Sequence, residues 1–362
     1  MLAIVALCAL ATSGCAGSIA QTPAASATPG AQESATSVPV PSPSDQPSAT
    51  GVPASDAVAE PLHAPEQILG GDCSALLSTA DVSALLGAPV APVTGRSMSP
   101  LHAAVAAMGG LSCLWSEGDG QNMAALSTVV EAATAYDVRG TGPVDDGVWC
   151  YGSLPAMECS FSVVSGPLWM SGHVYTAAGE NEADARAAVT SLGDDFRALE
   201  LAEPAREAAQ ATAWSLSDCS ELDGTVDVGA LLQSPGFRGS TSDVVPGDID
   251  GGIYAAVDTL GVFGCDWYQQ TDVPEGDLGG FSVVALPGGA WVKAQALAWP
   301  GATEIDLPGV ELAVLVPWDP AVPDQESLNV FDGVNWLQVT SRQDVMATVP
   351  VIPTLVAALN GL

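Results

Sequence analysis

Asp72-Cys73-Ser74-Ala75-Leu76-Leu77-Ser78-Thr79-Ala80-Asp81-Val82-Ser83-Ala84-Leu85-Leu86 returns later in the chain as Asp218-Cys219-Ser220-Glu221-Leu222-Asp223-Gly224-Thr225-Val226-Asp227-Val228-Gly229-Ala230-Leu231-Leu232. Ten of the fifteen positions are identical without a gap. Each segment is followed by Cys-x-Trp, first as Cys113-Leu114-Trp115 and then as Cys265-Asp266-Trp267, at cysteine intervals of 40 and 46 residues. Further on, Ser165-Gly166-Pro167-Leu168-Trp169 lines up with Asp332-Gly333-Val334-Asn335-Trp336. A period near 150 residues is far longer than the roughly 20–50 residues of a solenoid repeat, so the pattern predicts two complete domains in tandem.

Within a copy, Ser78-Thr79-Ala80-Asp81 has the form of a helix start and Gly87 of a stop, which predicts a short helix over 79–86 and a counterpart over 225–232. Leu111–Ser116 and Ala124–Val130 flank the turn-rich 117–122 and read as a hairpin. Phe161–Val164 and Leu168–Tyr175 form a second strand–turn–strand pair. Ala185, Ala188, Val189, Leu192, Phe196 and Leu199 fall on one face of a closing helix over 181–200. In the second copy Val345, Val349, Ile352, Val356 and Leu359 repeat that face, with Pro350 and Pro353 delaying the helix start. Helix, antiparallel strands, terminal helix is an α+β order: a sheet with a short N-terminal and a C-terminal helix packed on it, twice.

The N-terminus predicts the compartment. Residues 2–11 are apolar throughout, too short for a mature membrane span of ~20 residues and suited to a signal peptide. The run ends in Thr12-Ser13-Gly14-Cys15, which resembles a bacterial lipobox and implies a lipid, with its palmitate-type acyl chains, on Cys15. Residues 16–65 contain 12 Ala, 9 Pro, 8 Ser and 4 Thr, and no aromatic residue precedes Trp115. Such a segment buries too little apolar surface to offset its ordering entropy and is expected to be a disordered tether. As coil it would span on the order of 40 Å, and fully extended roughly 150 Å. The expected layout is a signal peptide over 1–14, a lipid-anchored linker over 15–66, a first domain over 67–202, a connector over 203–213 and a second domain over 214–362.

Apart from Cys8 and Cys15, six cysteines remain, an even number that in an exported body predicts disulfides. The second copy holds only Cys219 and Cys265, so independent folding requires that they pair. The repeat then pairs Cys73 with Cys113 and leaves Cys150 with Cys159.

Eight Lys and Arg against 42 Asp and Glu give a net charge of −34. That excludes a nucleic-acid partner held by phosphate neutralisation and disfavours docking on anionic lipid through a basic face. Hydrophobic residues make up 48% of the chain, enough for a sizeable core. His63, His102 and His173 are the three histidines, without the spacing of a zinc site. Gly110-Leu111-Ser112-Cys113-Leu114 breaks the nucleophile-elbow pattern at its last position. Asp243, Asp248, Asp250 and Asp258 around Gly251-Gly252 lack the alternate ligands and final Glu of a calcium loop, and 240–258 is read as a solvated acidic insertion. No cofactor, metal site or catalytic residue is indicated.

With those residues in view, each copy resembles an actinobacterial lipoprotein domain of unknown function that carries Cys-x-x-Leu near its start and Cys-x-Trp some forty residues later. The resemblance covers about 70–200 and 214–362. It implies a PsbP-like fold, an antiparallel sheet sandwiched by helices, and structural roles for the paired cysteines and for Trp115 and Trp267. More distantly, each copy is similar to extracellular sensor domains of mycobacterial receptor kinases. The expected function is that of a non-enzymatic binding or scaffold lipoprotein on the outer face of the bacterial cytoplasmic membrane, with an envelope protein or apolar ligand as partner. The alternative is a carrier of a lipid or small apolar solute in a pocket between sheet and helix, and a third reading is an unrecognised hydrolase. The two domains are expected to pack as a pseudo-symmetric pair.

Overall fold

The computed structural model describes residues 63–93, 98–117, 124–134, 147–153, 156–175, 181–203, 214–216, 218–234, 237–241, 251–269, 279–319, 322–341 and 344–361. The expected signal peptide, Cys15 and nearly all of the tether lie outside them, as do 204–213 of the connector and Asp119, Asp243, Asp248 and Asp250. All described residues belong to one compact unit, Ala59–Leu362.

The first half runs α1 (Cys73–Leu76), α2 (Thr79–Leu86), β1 (Ala91–Pro92), α3 (Pro100–Ala107), β2 (Leu111–Ser116), β3 (Ala125–Ala132), β4 (Gly147–Ser153), β5 (Ala156–Ser165), β6 (Leu168–Tyr175) and α4 (Glu182–Arg197). The second runs α5 (Ser220–Asp223), α6 (Val228–Leu231), β7 (Phe237–Thr241), α7 (Gly251–Leu260), β8 (Phe263–Gln269), β9 (Gly280–Leu286), α8 (Lys293–Ala298), β10 (Thr303–Ile305), β11 (Leu312–Asp319), β12 (Val322–Asp332), β13 (Asn335–Ser341) and α9 (Ile352–Leu359). The fold is α+β, with two antiparallel sheets of one topology. The first has the order β1-β2-β3-β6-β5-β4. The second, read from its own first strand, is β7-β8-β9-β13-β12-β11, with β10 added outside β11.

Local chemistry sets the helix ends. Ser78 caps α2 by accepting from the Asp81 backbone N–H at 3.2 Å, and Gly87 closes it in the left-handed region at φ 67°. The expected counterpart over 225–232 is shorter than read. Gly224 stands where Ser78 stands and offers no cap oxygen, so α6 begins after Asp227, whose carboxylate accepts from Ala230 N–H at 2.9 Å. Asn181 caps α4 through the N–H groups of Ala183 and Asp184. The last helix begins after Pro350, as the prolines require.

The outer face of each sheet packs on its own helices. Phe161, Val163, Met170 and Val174 meet Ala185, Val189 and Phe196 of α4 in one core. Leu328, Val330, Leu337 and Val339 meet Ile352, Leu355 and Val356 of α9 in the other. Trp115 and Trp267 are buried in these two cores, each beside the disulfide two residues upstream. The structure pairs Cys73 with Cys113 and Cys219 with Cys265, both with Cα atoms 5.7 Å apart, and Cys150 with Cys159.

A middle layer that the sequence reading did not anticipate joins the halves. Helices α3 and α7 precede the Cys-x-Trp strands, pack on each other and lie between the sheets. Ala103, Ala104 and Val105 of α3 share a core with Ile253, Ala256 and Val257 of α7 and with Leu286, Val314, Phe331 and Trp336 of the second sheet. Gln338 Nε2 donates to the Met98 carbonyl at 2.6 Å across the two halves. The expectation of a solvated loop over 240–258 is therefore corrected for 251–258, while 242–250 lie outside the described residues. From Gly251 onward the chain is helical, with Ile253 and Ala256 buried and Asp258 on the exposed side. Ile253, Ala256, Val257 and Leu260 recur at helical spacing, which outweighs the local acidity.

Candidate functional site

The face of the first sheet that looks toward the middle layer is built in rows, because alternate residues of a strand share a face. Antiparallel register places Val129, Ser171, Ser162 and Gly147 in one row. The next row carries Leu114, Ser127, His173, Ser160 and Trp149, and the one after it Ser116, Ala125, Tyr175, Glu158 and Tyr151. Trp169, Val129 and Ser171, nearest the middle layer, are buried. The two further rows are partly open: Trp149 is 47% and Tyr151 51% exposed, and Ser127, Glu158, Ser160, His173 and Tyr175 are half-buried.

These side chains hold one another. Ser160 Oγ and His173 Nδ1 are 3.0 Å apart, and Glu158 Oε1 lies 4.0 Å from the same nitrogen. The His173 and Tyr175 rings stack with centroids 6.3 Å apart and planes 25° from parallel. The Tyr151 hydroxyl turns inward to Glu158 and Ser160. Lost hydration and then the Glu158 carboxylate push its pKa from 10.0 up to about 12, although the ring itself stays half-exposed. The disulfide Cys150–Cys159 joins β4 to β5 directly between the two rows, on the opposite face, with Cα atoms 4.0 Å apart. On the outer side the Arg186 guanidinium donates to the Val148 carbonyl of β4. Both ties hold the edge strand that carries Trp149 and Tyr151 from the α4 side.

The cluster has the residue types of a hydrolytic triad but not its wiring. A triad serine and its acid address opposite imidazole nitrogens, so that one takes a proton while the other is oriented. Here Ser160 and Glu158 approach the same nitrogen of His173. The second histidine pair, Ser112 Oγ to His102 Nδ1 at 2.9 Å, ties α3 to β2 at the edge of the middle layer. His63 is exposed. Among the described residues no group of His, Cys, Asp and Glu is placed to hold a metal ion.

The second sheet differs at two of the corresponding positions. Val316 and Ser327, at the positions of Trp149 and Ser160, are buried. Gln338 reaches Asn329 Oδ1 at 3.2 Å beneath the Met98 segment. Two surface recesses flank the long helix of the first half. One of about 600 Å³ lies over Glu182, Arg186, Thr190 and Asp194, and one of about 290 Å³ lies between α2 and α4.

Sequence reasoning singled out the six cysteines and Trp115 and Trp267. The structure places the cysteines in three disulfides and both tryptophans in cores. It missed Trp149, Tyr151, Glu158, Ser160 and Tyr175 as a group. The available signal was the alternation around Cys150 and Cys159, which puts the intervening aromatic and polar residues on the face away from the disulfide.

No family model matches the chain, and no curated protein is similar to it. Among solved structures it is similar to the one described as the crystal structure of the di-domain ARO/CYC StfQ from the steffimycin biosynthetic pathway. The likeness has 10% identity and covers 83% of this chain and 92% of that one. Its TM-score is 0.13, which carries no argument about fold or activity.

Proposed function

We propose that the chain is an exported, lipid-anchored envelope protein that recognises a partner without catalysis, through the open rows of its first sheet. The observation that carries this reading is the pair of exposed rings, Trp149 and Tyr151, on a strand pinned by a disulfide and by Arg186. Large aromatic side chains left in water on a fixed surface are typical recognition groups. The shared nitrogen of His173 supports a binding role over a hydrolytic one. Dense packing of Phe161 and Met170 on Val189 and Phe196 supports surface binding over a carrier pocket between sheet and helix.

Anchoring is tested by fractionating cells that express wild type or Cys15→Ala. The wild type is expected in membranes and the variant in the soluble fraction, and equal release of both overturns the anchor. Recognition is tested by placing a photo-crosslinking phenylalanine analogue at position 149, and separately at Thr190 on the outer side of α4. Capture of an envelope component from 149 alone is expected. Equal capture, or none from either position, overturns the assignment of the face.

A further inference from the structure

We propose that the ligand of the open rows is an uncharged pyranose polymer, held by stacking on Trp149 and Tyr151 and by hydrogen bonds to Glu158, Ser160 and His173. The inference rests on the reading of this face as a recognition surface and goes beyond it in naming the ligand.

Three features of the face favour a sugar. Trp149 and Tyr151 are two residues apart on one strand, so both side chains leave the same face from Cα atoms about 7 Å apart. That spacing suits contact with successive rings of one chain rather than a single pocket. Tyr151 is also pre-oriented, since its hydroxyl is engaged by Glu158 while half of the residue stays exposed. A ligand therefore loses little by waiting for that side chain to order.

The inward neighbours of the rings are Glu158, Ser160, His173 and Ser127 rather than branched aliphatics. A protein hot spot places its aromatic anchor in a desolvated apolar pocket. Here the rings border a row of donors and acceptors at half burial. That suits a molecule whose C–H faces stack while its equatorial hydroxyls are hydrogen-bonded at the rim.

Charge removes the anionic sugars. The two rows contain no Lys or Arg, Glu158 lies at their centre, and the chain carries −34 overall. A polymer bearing phosphate or carboxylate would meet repulsion that screening within ~8 Å does not remove at contact.

The test uses the full chain in detergent and affinity electrophoresis through gels containing dextran, a soluble β-glucan, mannan or arabinogalactan. Retardation in at least one gel is expected. Trp149→Ala and Tyr151→Ala should each weaken it about five- to tenfold, and Trp149→Phe should keep most of it, since a ring remains. Equal far-ultraviolet circular dichroism and equal Tm of the variants show that the sheet is intact. No retardation in any gel overturns the saccharide, as does retardation unchanged by both alanine variants. The crosslinker at position 149 separates the two failures. Capture of a protein there, with no retardation in the gels, keeps the recognition face and replaces the sugar by a protein. Neither capture nor retardation removes both.

Discussion

Trp169 and Trp336 occupy one place in two sheets. Each follows a tight turn whose glycine, Gly166 or Gly333, is left-handed at φ 57° or 58°. Each indole N–H donates seven residues back across the hairpin, Trp169 to Ser162 Oγ at 2.9 Å and Trp336 to Asn329 Oδ1 at 3.0 Å. Each also faces a helix from the other half: Trp169 packs on Ala255 of α7, and Trp336 shares a core with Ala103 and Ala104 of α3. The two halves are thus joined by a reciprocal exchange, not by a flat contact.

Removal of either indole should therefore loosen both halves. Trp336→Ala is expected to cost about 3–5 kcal/mol, from a large cavity and from an Asn329 amide that loses a donor. Trp169→Ala should cost a comparable amount. Urea unfolding followed by far- and near-ultraviolet circular dichroism checks this. A loss below about 1 kcal/mol for either variant would show that the middle layer is not a shared core.

The same exchange predicts that the halves do not fold well apart. Residues 67–202 alone would leave Trp169 and Val129 in water, and 214–362 alone would do so for Phe331, Trp336 and Leu286. Each fragment is expected to show helix and strand signals without a sharp thermal transition, and mixing them should restore one. A cooperative transition in either isolated fragment would contradict this. Ala104→Leu in the intact chain is the milder probe, expected to cost about 1–3 kcal/mol by overpacking between two sheets.

Tyr151 gives a pH signature. Its folded pKa of about 12 lies above the ordinary 10.0, so folding favours the neutral phenol. The associated stability is fully present below pH 10 and is lost as the pH rises toward 12. Absorbance titration near 295 nm should show one tyrosine ionising later than the exposed ones. Glu158→Gln should lower that midpoint without returning it fully to 10.0, because loss of hydration is the larger cause. An unchanged midpoint would remove Glu158 from the account.

The disulfides should rank by the loops they close. Cys219–Cys265 and Cys73–Cys113 span 46 and 40 residues, and Cys150–Cys159 spans 9. Chain entropy gives about 4 kcal/mol for the long pair and about 2.5 kcal/mol for the short one. Double serine variants compared by Tm should follow that order. Loss of Cys150–Cys159 should additionally release β4 and weaken binding through Trp149.

Much of the frame was legible in the sequence because its signals are local. The repeated Asp-Cys-Ser, the cap at Ser78, the turn glycines at 166 and 333 and the apolar stripe of α4 each specify structure within a few residues. The middle layer was not legible for a physical reason. A helix held between two sheets is apolar on most of its surface, so α3, with Leu101, Ala103, Ala104, Val105 and Ala106, lacks the one-sided period that marks a surface helix. Ser99-Pro100 was its one start signal. Near Gly251-Gly252 the surrounding aspartates concealed α7. The candidate site was hidden by the same gap. Alternation around Cys150 shows that Trp149 and Tyr151 share a face, but which rows of that face stay open depends on where α3 and α7 end.

The exchange of helices also sets an order on biogenesis. Trp169 is made long before Ala255, the residue that covers it, so the first sheet must wait with its inward face bare while the second half is synthesised. During that interval the nascent chain exposes an aromatic surface, and a chaperone has reason to hold it until α7 arrives.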